Sequence, residues 1–78
     1  MTTVRFYAAA RAAIGSSEIP LEAGTLAELI QHCAAMSEQM SALISTCTFL
    51  VDGVSEGDLQ RSLEGVRQVD VLPKFAGG

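Results

Sequence analysis

The residues with the clearest capacity for chemistry are the last two of the sequence, Gly77 and Gly78, which close the stretch VDVLPKFAGG beginning at Val69. Read as a chain end, Gly78 offers a carboxylate on a slim arm. Neither glycine has a Cβ, so the backbone there can pass through a channel too narrow for any other residue. From Pro73 onward the arm reaches roughly 20 Å when extended at about 3.3–3.6 Å per residue. A carboxylate donates its acyl group poorly until it is activated, so this reading requires a second protein to do the activating. The remaining reactive side chains form no site of their own. His32 is the one histidine, and with no second nitrogen or thiolate at ligand spacing no metal is expected. Cys33 and Cys47 stand fourteen positions apart without a C-x-x-C pair, and read as small buried apolar residues, not a redox or metal pair. No G-x-x-x-x-G-K-[ST] or G-x-G-x-x-G turn is present to cradle a phosphate. Ser16, Ser17 and Ser45 lack a base at a recognisable offset. Glu56 and Asp58 read as a solvated loop.

The elements that must hold the arm follow from periodicity. Thr3 to Ala9 alternates, with Val4, Phe6 and Ala8 on one side and Val4 and Phe6 pointed at the core, and predicts a first strand. Gly15 supplies the permissive backbone of a turn. Ser17 to Glu22 alternates through Ile19 and Leu21, and Pro20 marks that strand as an edge. Thr25-Leu-Ala-Glu28 is a capping box, with the Thr25 hydroxyl on the Glu28 N–H and Glu28 reaching back. Leu26, Leu29, Ile30, Cys33 and Met36 follow as one apolar helical stripe, with Gln31, His32 and Ala35 on the solvent side. Met40, Leu43 and Ile44 predict a further turn or two of helix, diluted by serines. Thr46 to Val51 is β-branched and aromatic, with Phe49 and Val51 inward, and Asp52-Gly53 is a turn. Residues 55–68 read as irregular, anchored by Leu59, Leu63 and Val66. In the last strand Val69 and Val71 face one way, Asp70 and Leu72 the other, and Pro73 is expected to end the pairing.

Composition narrows the class. Seventy-eight residues allow one domain, and 49% hydrophobic with 18% charged residues describes a globular chain. Five basic against nine acidic side chains give a net charge of −4, which argues against a nucleic-acid surface and fits docking onto basic partners. No apolar run approaches the roughly 20 residues of a membrane span, and the first residues enter a strand pattern without a secretory apolar region. The cytoplasm is the expected location, with no membrane partner.

The order strand, strand, helix, strand, irregular stretch, strand leaves the last strand without a hairpin partner. Placed in the sheet centre, parallel to the first strand, it completes an α+β fold of the β-grasp (ubiquitin-like) type. That fold is a mixed sheet of four to five strands with one main helix on one face. Residues 1–72 then form the domain and 73–78 an extended Gly-Gly tail. The core joins Val4, Phe6, Phe49, Val51, Val69 and Val71 to Leu26, Leu29, Ile30 and Cys33. The opposite face carries Tyr7, Leu50 and Leu72, with Phe75 just beyond, as candidate partner-binding residues, because nothing in the chain is left to cover them.

These features together resemble the MoaD/ThiS-type sulfur carriers, most closely the small subunit of molybdopterin synthase. The likeness runs through VRFYAAAR at Val4–Arg11 with Gly15 beyond, TLAEL at Thr25–Leu29, VDG at Val51–Gly53, Val71-Leu-Pro73 and Ala76-Gly-Gly78. The resemblance implies a carrier with no active site and no bound cofactor of its own. An adenylating enzyme of the ubiquitin-activating type would use ATP to form an acyl-adenylate at Gly78, and a sulfur donor protein would convert it to a thiocarboxylate. The charged tail would enter the large subunit of molybdopterin synthase and give up its sulfur for molybdenum-cofactor synthesis. Gly78 would bear the sulfur, Gly77 would provide clearance, and Leu72 and Phe75 would contact partners. Three positions depart from the usual pattern: Lys74 stands where a second proline is common, Gly65-Val66 where Gly-Asp is common, and Asp52 where Asn is common. Carriage of sulfur for thiazole or cysteine synthesis, conjugation as a ubiquitin-like protein modifier, and a non-covalent adaptor role are the alternatives.

Overall fold

The computed structural model of the chain describes residues 1–74. In chain order its elements are β1 (Thr2–Phe6), α1 (Ala8–Ile14), β2 (Glu18–Leu21), α2 (Leu26–Ala34), α3 (Glu38–Leu43), a 3-10 turn (Ile44–Thr46), β3 (Cys47–Val51), β4 (Val54–Ser55) and β5 (Gln68–Pro73). The strands form one mixed sheet in the order β2-β1-β5-β3-β4. β5 runs parallel to β1, pairing Val4 with Val69 and Phe6 with Val71. It runs antiparallel to β3, pairing Phe49 with Val71 and Val51 with Val69. This is the expected β-grasp arrangement, with the last strand at the centre.

One register places every inward residue on one face. Val4, Val69 and Val71 are fully buried, with Phe6, Phe49 and Val51 nearly so, and they meet Leu26, Leu29 and Cys33 of α2 in a single core. Burying one such side chain contributes about 1.5–3 kcal/mol. α2 begins where its cap requires: the Thr25 hydroxyl accepts from the Glu28 N–H at 3.3 Å. Glu28 reaches back to the Gly24 N–H, at 2.9 Å, one residue before the Thr25 N–H that a capping box would satisfy. α3 is the predicted second helical segment, capped by Ser37, whose Oγ accepts from the Met40 N–H at 3.0 Å.

Several sequence expectations are corrected. The first strand stops at Phe6, and Ala8 to Ile14 is helical. Alternation cannot be read from a run of alanines, whereas alanine has the highest helix propensity of any residue. Ala8 turns the chain out of the sheet at φ 50°, and Gly15 at φ 83° closes the helix in the left-handed region. α1 packs against β5 and α3, so two further helices share the inner face with α2. The Asp52-Gly53 turn leads into β4, a strand the sequence reading lacked; φ values of 48° and 86° suit a two-residue hairpin. Met36 and Leu59 are 43% and 50% exposed, not core residues, while Leu63 and Val66 are buried anchors.

Pro73 is the last paired residue of β5, so the strand runs one residue past the expected domain end at 72. The proline lies within β5 opposite Cys47 and is buried. The backbone bond beside it, Lys74 N–H to Thr46 O at 3.3 Å, marks a position in the β3 ladder where residue 73 donates nothing. On its other side β1 has already ended. The Tyr7 carbonyl, next in that register, accepts from Ala10 and Arg11 at the start of α1. The missing N–H is therefore harmless on both sides.

Candidate functional site

β5 is the strand from which the C-terminal residues continue, and the sheet holds it on both edges. The last described residue, Lys74, is exposed and tied to Thr46 through its backbone N–H. The expectations placed on Phe75, Gly77 and Gly78 lie outside the described residues. What the structure does place is the root of that segment: a strand whose Val69 and Val71 are locked in the core and whose Asp70 and Leu72 point to the opposite face.

That outer face carries the other sequence-predicted residues. Leu72 pairs with Thr48 and Leu50 with Asp70, so the two leucines are diagonal neighbours across β3 and β5. Tyr7 follows the Phe6–Val71 pair in the parallel register, and its N–H donates to the Val71 carbonyl at 3.2 Å, which sets it beside Leu72. All three are half-buried, so the structure brings Tyr7, Leu50 and Leu72 together but leaves them less open than a bare apolar patch. Among the described residues the large apolar side chains that are truly exposed, Met1, Met36, Val54 and Leu59, lie elsewhere in the sequence.

Sequence reasoning missed a polar line across the same face. The Arg5 guanidinium donates to Gln68 Oε1 at 3.4 Å, and Gln68 Nε2 donates to Asp70 Oδ1 at 2.9 Å. Asp70 is only 8% exposed although it stands on the face opposite the core. Strand parity puts Arg5 and Asp70 on the outward side of their strands, with Asp70 beside Leu72, but that they pair follows only from the β1–β5 register. Asp52 has a structural role. Its carboxylate accepts from the Arg67 N–H at 3.1 Å and the Gln68 N–H at 3.0 Å, pinning the start of β5 to the turn after β3.

The other candidate reactive groups remain apart from this face. His32 is exposed near the end of α2. Cys33 and Cys47 are free thiols. Burial, and then the nearby Cys47, push the Cys33 thiol up to about 11; burial also raises Cys47, whose Sγ donates to the Leu43 carbonyl at 3.4 Å. Thiols held protonated in this way are poor nucleophiles. Among the described residues no three His, Cys, Asp or Glu side chains cluster as metal ligands, and no helix is long and apolar enough to cross a membrane.

A central β5 parallel to β1, with helices on one face and a half-open opposite face, defines the β-grasp class. Two of the solved structures the chain matches show the particular likeness. The chain superposes on SAMP1 from Haloferax volcanii with a TM-score of 0.80 at 12% identity, covering 99% of this chain and 98% of that one. It superposes on a chain of the complex of subunits 1 and 2 of molybdopterin-converting factor from Helicobacter pylori 26695 with a TM-score of 0.71 at 22% identity, covering 99% and 97%. No protein-family model matches the chain, and no curated protein matches it significantly. At these identities the likeness is one of fold.

Proposed function

We propose that the chain is a sulfur carrier that acts as the small subunit of molybdopterin synthase in the cytoplasm. The observation that carries this reading is the end-to-end likeness to a chain of the molybdopterin-converting factor complex, joined to the Gly77-Gly78 pair that follows β5 in the sequence. In the proposed cycle a Gly78 carboxylate oxygen attacks the α-phosphorus of ATP on an adenylating enzyme, and pyrophosphate leaves. Hydrosulfide released by a sulfur donor protein then attacks the acyl carbon, and AMP leaves, so that a thiocarboxylate replaces the carboxylate. The large subunit receives the tail and directs the terminal sulfur onto the pterin precursor. The chain's own part is mechanical: a rigid central strand presents the arm, and the outer face of the sheet docks the partner.

The test is intact mass spectrometry of the full chain after incubation with the adenylating enzyme of its source organism, ATP and a sulfur donor. The expected result is the gain in mass of one sulfur-for-oxygen exchange at Gly78. The variant lacking Gly77 and Gly78 should keep its fold by circular dichroism and show no exchange. An unchanged mass for the intact chain would overturn the reading, and isopeptide conjugates to other proteins in its place would assign the chain to the protein modifiers. Stable co-purification with a thiazole or cysteine synthase, instead of a molybdopterin synthase large subunit, would redirect the sulfur to another pathway.

A further inference from the structure

We infer that Asp70 is a specificity determinant of the outer face, and that the protein docking there presents an arginine or lysine to it within an otherwise apolar contact. The inference rests on the carrier reading above and deepens it by stating the chemistry of the partner's surface. Asp70 is already 92% covered in the free chain, since it is 8% exposed. Its register neighbours are Arg5 on β1 and Leu50 on β3, and Leu72 lies two positions along its own strand.

The carboxylate is incompletely used. Oδ1 accepts from Gln68 Nε2 at 2.9 Å, the one side-chain hydrogen bond Asp70 makes among the described residues. Among the described residues no side-chain oxygen shut off from solvent lacks a partner, so Oδ2, which makes no hydrogen bond there, keeps some contact with solvent. The neighbouring Arg5 makes no direct bond to it among the described residues; its guanidinium donates to Gln68 Oε1 at 3.4 Å. A partner seated over Leu50, Leu72 and Tyr7 would strip the last water from Oδ2. With an apolar surface opposite, a buried charge would be left unsatisfied, which is strongly unfavourable. With a cationic donor opposite, the bond is charge-assisted, and most of the carboxylate's desolvation has already occurred on folding. The residue thus rejects apolar partners as much as it attracts basic ones. The net charge of −4 favours the same partners at long range.

The experiment is calorimetric titration of the full chain against the molybdopterin synthase large subunit from the same source, using wild type, Asp70→Asn and Arg5→Gln. Asp70→Asn keeps the shape and the acceptor for Gln68, and thermal melts confirm its fold. The expected result is at least tenfold weaker binding for Asp70→Asn, with a shallower salt dependence. Arg5→Gln should bind as well as wild type or more tightly, because it removes a cation that repels the partner's own. Equal affinities for wild type and Asp70→Asn would overturn the inference while leaving the carrier reading intact. Weaker binding by Arg5→Gln alone would overturn it as well, by showing that the partner's group is anionic. No binding by wild type would overturn both the inference and the assignment to this synthase; the mass-exchange test on Gly78 would separately decide whether the chain carries sulfur.

Discussion

The two faces of the sheet are built from alternate residues of the same strands, yet they are finished in opposite ways. On the inner face Val4, Phe6, Phe49, Val51, Val69 and Val71 are at most 7% exposed beneath three helices. On the outer face Tyr7, Leu50 and Leu72 are half-buried, and the polar line Arg5–Gln68–Asp70 runs alongside them. Apolar area removed from water accounts for stability, so the inner face holds the fold. The outer face, with its apolar residues only half-buried, contributes less to holding the fold. β5 belongs to both, because its inward valines anchor the strand that its outward residues and the following segment use.

The contrast is broken or sharpened most by the substitution with the largest expected effect. Phe6→Ala removes a buried ring from the inner face and should destabilise by about 3–5 kcal/mol, read as a fall in the urea midpoint; a loss below 1 kcal/mol would mean that the core is not organised around β1 and β5. Next is the inner-face thiol. Cys33 is raised to about 11 from 9.0, so the fold favours its protonated form. That contribution is complete below pH 9 and is lost as the pH rises through 9 toward 11. The loss should be about 2–3 kcal/mol relative to Cys33→Ala, measured by denaturation across that window. Parallel pH profiles for the two proteins would contradict the burial. Thr25→Ala removes the α2 cap and should cost about 1 kcal/mol, with partner binding unchanged because the outer face is untouched. Smallest in stability is Leu72→Ala, at about 1 kcal/mol or less for a half-buried side chain. It should nonetheless weaken binding to the large subunit, and a large drop in melting temperature without a binding defect would erase the distinction between the faces.

Much of this was legible before the tertiary structure. The Thr25–Glu28 cap, the stripe through Leu26, Leu29 and Cys33, and the alternation in β1, β3 and β5 are local signals. Each follows from a period of 3.6 or 2 and from which backbone groups a nearby side chain can satisfy. The alanine run at Ala8–Ala10 was not legible, because small apolar residues satisfy both periods equally. Nor was β4, whose two residues are too few to show a pattern.

By itself, then, the sequence determined the parity of β1, β2, β3 and β5, the α2 cap and the turn at Asp52-Gly53. Only the tertiary structure decided that Pro73 is buried at the end of a ladder, that Tyr7 lies beside Leu72, and that Arg5, Gln68 and Asp70 form one line. The reason is the range of the information. Periodicity assigns a residue to a face from its near neighbours, but which residues meet across strands depends on pairing between segments more than sixty positions apart, such as Thr3 with Gln68. That register is set by the burial of all the inward side chains at once.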